Sequence, residues 1–114
     1  MPAKHIGIVA CSAEGAALCY RTICVEASAE MGEHLHPEVS MHTHALGLYT
    51  PHFPSNDSRA VADLMLDSAR KLAAIGADFA ICPDNTIHVP FGDIERESPI
   101  PWIHIADAVA DAAI

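Results

Sequence analysis

The run from His5 to Cys11 is short and almost continuously apolar. A strand of this composition is buried on both faces, which is typical of a parallel sheet covered by helices on each side. Ser12 follows it and can cap a helix, and the residues from about Ala13 to Met31 favour that helix until Gly32 ends it. The N-terminal part of the chain therefore predicts a buried strand followed directly by a long helix.

The rest of the chain continues the alternation of strands and helices. We predict strands at 38–44, 78–82 and 101–105, a helix at 58–75, a short helix after Pro83 and a last helix that begins at Ala106. This order implies parallel strands joined by right-handed crossovers. The expected fold is one α/β domain over residues 1–114, with three αβα layers and a parallel sheet of about four strands in the order 2-1-3-4.

The two long helices offer apolar positions for the core of this domain. In the helix at 58–75, apolar residues recur at three- and four-residue spacing, and oppositely charged residues four apart lie on the other face. The residues predicted to face the core are Leu18, Ile23 and Val25 of the first helix and Val61, Met65, Ala69 and Leu72 of the second. The predicted surface ion pairs are Arg59 with Asp63 and Asp67 with Lys71.

Composition excludes several classes of partner. Six Lys and Arg stand against 15 Asp and Glu, a formal net charge of -9. Nucleic acid and anionic membrane surfaces are poor partners for such a chain, because phosphate binding depends on basic charge. No apolar run approaches the ~20 residues that span a bilayer. The N-terminus lacks a signal-peptide pattern, and the four cysteines form no C-x-x-C pair, so we expect a cytoplasmic protein with reduced thiols.

Polar side chains follow the predicted strands at the points where the strands end. In an open parallel sheet, ligands bind outside the carboxyl ends of the strands. Those ends carry Cys11 and Ser12, residues 42–44, residues 82–86, and His104. Helix N-termini and the hydroxyls of Ser12 and Thr86 would face an anion there, so a small carboxylate is the expected ligand.

Several of these residues have two interpretations. The Cys82 thiol can be activated near a helix N-terminus, or it can be a small apolar residue at a strand end. Asn85 and Thr86 can bind a ligand or cap the short helix. The eight histidines include two H-x-H pairs, at 34–36 and 42–44, but no cysteine or carboxylate stands at a spacing that would complete a zinc site, so we expect no metal.

The segment Ile81-Cys-Pro-Asp-Asn-Thr-Ile-His88, followed by Pro101-Trp-Ile-His-Ile-Ala-Asp107, resembles the first half of the aspartate/glutamate racemase family. The first strand and loop, residues 6–12, and the helix and turn at 69–78 are similar to the corresponding parts of that family. The resemblance covers essentially all 114 residues. It implies a cofactor-independent enzyme, here its N-terminal half, that acts on an acidic amino acid such as aspartate or glutamate.

The resemblance also implies roles for individual residues. The family uses two domains, each supplying one acid/base residue, usually cysteine, to opposite faces of the substrate Cα. Inversion needs this arrangement, and hydrogen bonds to the carboxylate must stabilise the charge that develops. Carried over by position, Ser12, Asn85, Thr86 and His104 would bind substrate.

Two departures from the family pattern bear on catalysis. The family's first catalytic cysteine usually stands directly before Asn-Thr, where this chain has Asp84, and Cys82 lies two residues earlier. Either of the two residues transfers the proton, or the site has lost racemisation. The partner cysteine belongs to a second domain, so we expect this chain alone to be inactive and to self-associate. The alternatives are a non-catalytic domain that binds small carboxylates and an inactive truncated fragment; hydantoin racemases and maleate isomerases share the architecture.

Overall fold

The computed structural model describes residues 4–52, 58–83 and 96–103. In chain order, the elements are β1 (Ile6–Ala10), α1 (Ala13–Met31), β2 (Val39–Thr43), α2 (Leu46–Tyr49), a 3-10 turn (Thr50–His52), α3 (Ser58–Ala74), β3 (Phe79–Ile81) and β4 (Trp102–Ile103). The predicted helices after Pro83 and from Ala106 onward lie outside the described residues.

The four strands form one parallel sheet in the order β2-β1-β3-β4. Ile8 of β1 stands opposite Met41 of β2 on one side and Ile81 of β3 on the other. The predicted strand order and parallel direction are therefore confirmed. Because all strands run the same way, their carboxyl ends meet at one edge of the sheet.

Helices cover both faces of the sheet, and each face has its own apolar cluster. Against α3 the sheet buries Val9, Cys11, Ala80 and Cys82. On the face toward α1 it buries Ile8 and Ala10 against Ala16, with Cys19 and Ile23 packed around them. Adjacent residues of β1 thus enter opposite clusters, which is the period of two that a strand imposes.

The bounds of α1 match the prediction, because both ends are capped as expected. The Ser12 hydroxyl accepts a hydrogen bond from the Gly15 amide at 3.3 Å. At the other end Gly32 has φ +116°, a conformation that side chains rarely allow, and its amide donates to the Ser28 carbonyl.

The core positions predicted for α1 were largely wrong. Leu18 is 64% exposed and Val25 is 58% exposed, whereas Ile23 does pack toward the sheet. Ala16, Cys19 and Ile23 share one side of the helix, and Leu18 and Val25, seven residues apart, lie together on another. Helix α1 is rich in apolar residues on more than one side, so composition alone does not identify the side that faces the sheet.

Helix α3 follows its predicted pattern closely. The predicted stripe of Val61, Met65, Ala69 and Leu72 is buried. On the outer side, Arg59 pairs with Asp63 at 2.6 Å and Lys71 with Asp67 at 3.0 Å. Arg59 also binds Glu97, which ties α3 to the segment leading into β4.

Helix α2 was not predicted. Its four residues are too few to show a helical period, and its N-cap, Ala45, makes no side-chain hydrogen bond. Tertiary packing explains it, because Tyr49 at its end is fully buried in the cluster beneath α3. Within the described part of the chain, no helix is both long and apolar enough to cross a bilayer.

We predict that replacing leucine by alanine destabilises the protein strongly in α3 and very little in α1. Leu66→Ala in α3, where the side chain is fully buried, should lower the free energy of unfolding by about 2–5 kcal/mol, because it leaves a cavity. Leu18→Ala in α1 should change it by less than about 0.5 kcal/mol. Urea unfolding followed by circular dichroism measures both, and equal losses would contradict this assignment of the helix faces.

Candidate functional site

A pocket of about 540 Å³ lies at the carboxyl edge, between the start of α1 and the end of β2. Its walls are mostly apolar, and its polar groups come from residues at or just after the ends of β1 and β2. The lining residues are Ala10, Cys11, Ser12, Ala13, Ala16, Ala17, Met41, Thr43, His44, Ala45 and Leu46.

Ser12 lines this pocket at the N-terminus of α1. Its hydroxyl oxygen accepts from the Gly15 amide and so stabilises the first turn of the helix. The first amides of a helix have no partner within it, and together with the helix dipole they favour an anion. Ser12 thus stands where a small carboxylate would gain from both the hydroxyl and the helix end.

Cys82 occupies a different environment. It is 3% exposed and belongs to the apolar cluster between the sheet and α3, which also contains Tyr49 and Trp102. The structure therefore places Cys82 under the carboxyl edge and does not include it among the residues that line the pocket with Ser12. The other predicted site residues, Asp84, Asn85, Thr86 and His104, lie outside the described residues.

A group of polar side chains links the end of β2 to α3. His42 Nδ1 lies 2.8 Å from the Ser68 hydroxyl, and His44 Nε2 lies 2.8 Å from Asp67 Oδ2. The two imidazole rings meet edge to face with centroids 5.0 Å apart. Lys71 completes the group through its ion pair with Asp67. We refer to these five residues as the β2–α3 polar network.

The charges in this network can be assigned from its contacts. Hydrogen bonds from Lys71 and His44 hold the pKa of the Asp67 carboxyl below its ordinary value. Asp67 is therefore ionised and can only accept, so His44 carries a proton on Nε2. Burial, and then the positive charge of Lys71 and the adjacent His44 ring, lower the pKa of His42, which favours a neutral His42 ring.

The sequence did not predict the contacts of this network. The H-x-H spacing placed both histidines on one side of a strand, and we considered them as polar residues at a strand end and as metal ligands. In the described ranges, no three His, Cys, Asp or Glu side chains are grouped in a way that could hold a metal ion. The partners of the pair, Asp67 and Ser68, are 23 and 26 residues away.

Two other histidines, His5 and His36, lie away from this edge and make contacts that stabilise the fold. His5 is buried at the amino end of β1, where its Nε2 lies 2.7 Å from the Ser40 hydroxyl and its amide donates to Asp78 at 2.7 Å. His36 packs edge to face against Tyr20 beside α1. A hydrogen bond with Cys24 raises the pKa of the Tyr20 hydroxyl.

The Asp/Glu/Hydantoin racemase family model matches residues 6–114. The chain belongs to this family. The match covers both the described sheet and the segment with Asp84, Asn85 and Thr86. The resemblance expected from the sequence is therefore confirmed, and the sheet edge with Ser12 is the edge of a racemase-family domain.

Solved structures support the same conclusion. A protein from Yersinia pestis with a provisional assignment as an Asp/Glu racemase superposes with a TM-score of 0.90 at 26% identity, over 96% of this chain and 48% of its own. An aspartate racemase homologue from Pyrococcus horikoshii OT3 superposes with a TM-score of 0.78 at 26% identity, with the same coverage. This racemase-family chain thus spans about half the length of both structures. No curated protein matches its sequence significantly.

The lowered pKa of His42 predicts a pH-dependent contribution to stability. The unfolded chain binds this proton more readily than the folded protein does, so the contribution is present at neutral pH and is lost as pH falls below the ordinary histidine value of 6.5. His42→Gln should therefore reduce the loss of unfolding free energy between pH 7.5 and 5.5, measured by urea unfolding. The control is His34→Gln, whose side chain is 90% exposed; an equal reduction in both variants would contradict the prediction.

Proposed function

We propose that this domain acts on the Cα proton of a small acidic amino acid, such as aspartate or glutamate, by two-base chemistry without a cofactor, and that the second base is missing from this chain. The observation that carries the proposal is the racemase-family match over residues 6–114. The pocket beside Ser12 supports it, because a helix N-terminus at the carboxyl edge suits a carboxylate. The formal charge of -9 disfavours nucleic acid as a partner.

The chemistry assigns separate tasks to the candidate residues. Inversion needs one group to take the Cα proton and another to return a proton from the opposite face. Cys82 and Asp84 are the candidates for the group that this chain supplies. Donors to the substrate carboxylate must stabilise the negative charge that develops as the proton leaves. We assign that task to Ser12, Asn85, Thr86 and His104.

We further propose that the chain corresponds to the N-terminal half of a two-domain racemase, so that the second proton-transfer group comes from another domain. Its extent relative to the two solved structures, 48% of each, supports this proposal. A cytoplasmic location also belongs to the proposal, since none of the four cysteines forms a disulfide.

A second candidate function is the binding of small carboxylates without catalysis. The burial of Cys82 in the core favours it, because the one cysteine near the Asn-Thr pair is 3% exposed. Asp84 in the position where the family usually has cysteine favours it too. In this alternative the pocket and the helix end still bind the carboxylate, and no proton is exchanged.

We predict that the 114-residue chain alone does not racemise aspartate or glutamate at a useful rate. A missing positioned acid or base costs about 10²–10⁴-fold, and the second domain should restore turnover. Chiral chromatography of the product measures both reactions. Racemisation by the chain as a monomer would contradict the two-domain proposal.

Exchange of the substrate α-proton with deuterated solvent should distinguish the two candidate bases. In the protein completed by its second domain, either Cys82→Ser or Asp84→Asn should abolish exchange, and the other should retain it. Cys24→Ser, on α1 away from the carboxyl edge, is the matched control and should exchange like the parent. Full exchange in both test variants would refute the catalytic roles of Cys82 and Asp84.

We also predict that the chain forms a homodimer or a higher oligomer. Large apolar side chains are exposed on its surface, and self-association would bury such side chains. They include Leu18, Val25, Met31, Leu35, Met41, Leu46, Leu48, Ile75 and Ile103. Sedimentation velocity at micromolar concentration measures the assembly, and a monomer throughout would reject the prediction.

A further inference from the structure

A second cavity, a groove of about 460 Å³, lies between the C-terminal half of α1 and the segment that connects this helix to β2. We refer to it as the α1 groove. An arginine, a tyrosine and two histidines are among the residues that line it: Arg21, Tyr20, His34 and His36. None of them lines the carboxyl-edge pocket. Arg21 stands nine residues after Ser12, which is about 13 Å along a helix axis, so the two cavities are separate.

The lining of the α1 groove differs in charge from the chain as a whole. The sequence has 15 Asp and Glu against six Lys and Arg, yet no acidic side chain lines this groove. The carboxyl-edge pocket has no Lys or Arg in its lining, and a groove beside α3 is lined by Asp63 and Asp67. Of these three cavities in the described part of the chain, the α1 groove is the one with a permanent positive charge.

Arg21 supplies that charge. Its guanidinium makes no hydrogen bond or ion pair with any residue that the structure describes, whereas Arg59 and Lys71 are both paired with carboxylates. A guanidinium stays protonated in proteins and has five N–H donors in a planar fork. This fork matches the two oxygens that a carboxylate or a phosphate presents. The α1 groove therefore contains an anion-binding group that no carboxylate of the described chain occupies.

The rings that share the groove with Arg21 are held in place. His36 Nδ1 lies 2.7 Å from the Pro37 carbonyl oxygen, and because a carbonyl can only accept, this nitrogen donates. The Tyr20 ring meets the His36 ring edge to face at a centroid distance of 6.4 Å, and its hydroxyl is hydrogen-bonded with Cys24. A wall that is already ordered reduces the entropy lost when a ligand binds.

Two features oppose an anion here, and both are weak. The C-terminal end of a helix dipole repels anions, but the effect is confined to the last turn, and α1 ends at Met31, ten residues after Arg21. Glu33 lies 3.3 Å from His34, but their side chains are 88% and 90% exposed, so solvent screens this carboxylate. No charge on either histidine is needed, because Arg21 is always protonated.

We propose that the α1 groove is a binding site for a small compound with a carboxylate or phosphate group. Arg21 binds the anionic group, and the rings of Tyr20 and His36 form a wall for the rest of the molecule. The volume of about 460 Å³ lies within the range of small-molecule sites, roughly 300–1,000 Å³. The site is separate from the pocket beside Ser12 and goes beyond the proposed racemisation.

Titration of the ¹⁵N-labelled chain with inorganic phosphate and, separately, with succinate tests this site. Succinate has carboxylates without the amino group of a racemase substrate, so the two titrations distinguish a phosphate site from a carboxylate site. We expect at least one anion to shift the Arg21 Nε–H signal and the neighbouring amide signals of α1 until they saturate. Sodium chloride at the same ionic strength should not reproduce these shifts, because it only screens charges.

Two variants separate binding by Arg21 from the general charge of the chain. Arg21→Gln should weaken binding of the anion about tenfold, as suits a hydrogen bond between charged groups. Arg70→Gln removes the same charge from an exposed position of α3 and should bind the anion like the parent. Both side chains are exposed, so neither substitution should disrupt the fold, and circular dichroism checks this.

The inference is wrong if neither anion shifts the Arg21 signals more than sodium chloride does, or if the two variants bind equally well. It is also wrong if the Arg21 signals change with protein concentration and not with added anion, because a second copy of the chain would then cover the groove. Racemisation by the completed protein decides the proposed function alone. Saturable binding that depends on Arg21 would establish the anion site even if that protein exchanges no α-proton.

Discussion

The burial of β1 between two helical layers is the constraint on which the rest of the structure depends. Ile8, Val9 and Ala10 are at most 1% exposed, and neighbouring residues of the strand enter different apolar clusters. A strand that buries apolar side chains on both faces needs a helix over each face and a neighbouring strand along each edge. The parallel pairing with β2 and β3 follows, and it places the carboxyl ends of the strands at one edge.

The parts of the fold that could be predicted are those where local signals agree with tertiary demands. Helix α3 has its apolar stripe, its surface ion pairs and Gly76 with φ +96°, and all of them point to the same helix. Helix α1 has equally good caps, so its ends were predicted. Its buried side was not, because Leu18 and Val25 are as apolar as Ile23. Small residues such as Ala16 meet the sheet instead, which allows the helix to approach closely.

The candidate site likewise has one part that local sequence signals predict, and the polar network beside it has contacts that they do not predict. The position of Ser12 follows from a local signal, a capping residue after a buried strand, and the structure places it beside the pocket. The β2–α3 polar network has no local signal. His44 and Asp67 meet because the crossover from β2 brings α3 back over the edge strand with one particular rotation about the helix axis. Moving the aspartate by one residue along α3 would separate the two side chains, and no spacing in the sequence predicts their contact.

The network also explains how an edge strand with polar residues can belong to a buried sheet. β2 turns His42 and His44 toward α3, where an apolar cluster would otherwise continue. Burying unpaired imidazoles there would cost free energy, so each needs a partner, and Ser68 and Asp67 supply one for each. Each contact occupies one nitrogen of a ring. The packing requirement of the sheet therefore fixes the orientation of both histidine rings at the end of β2.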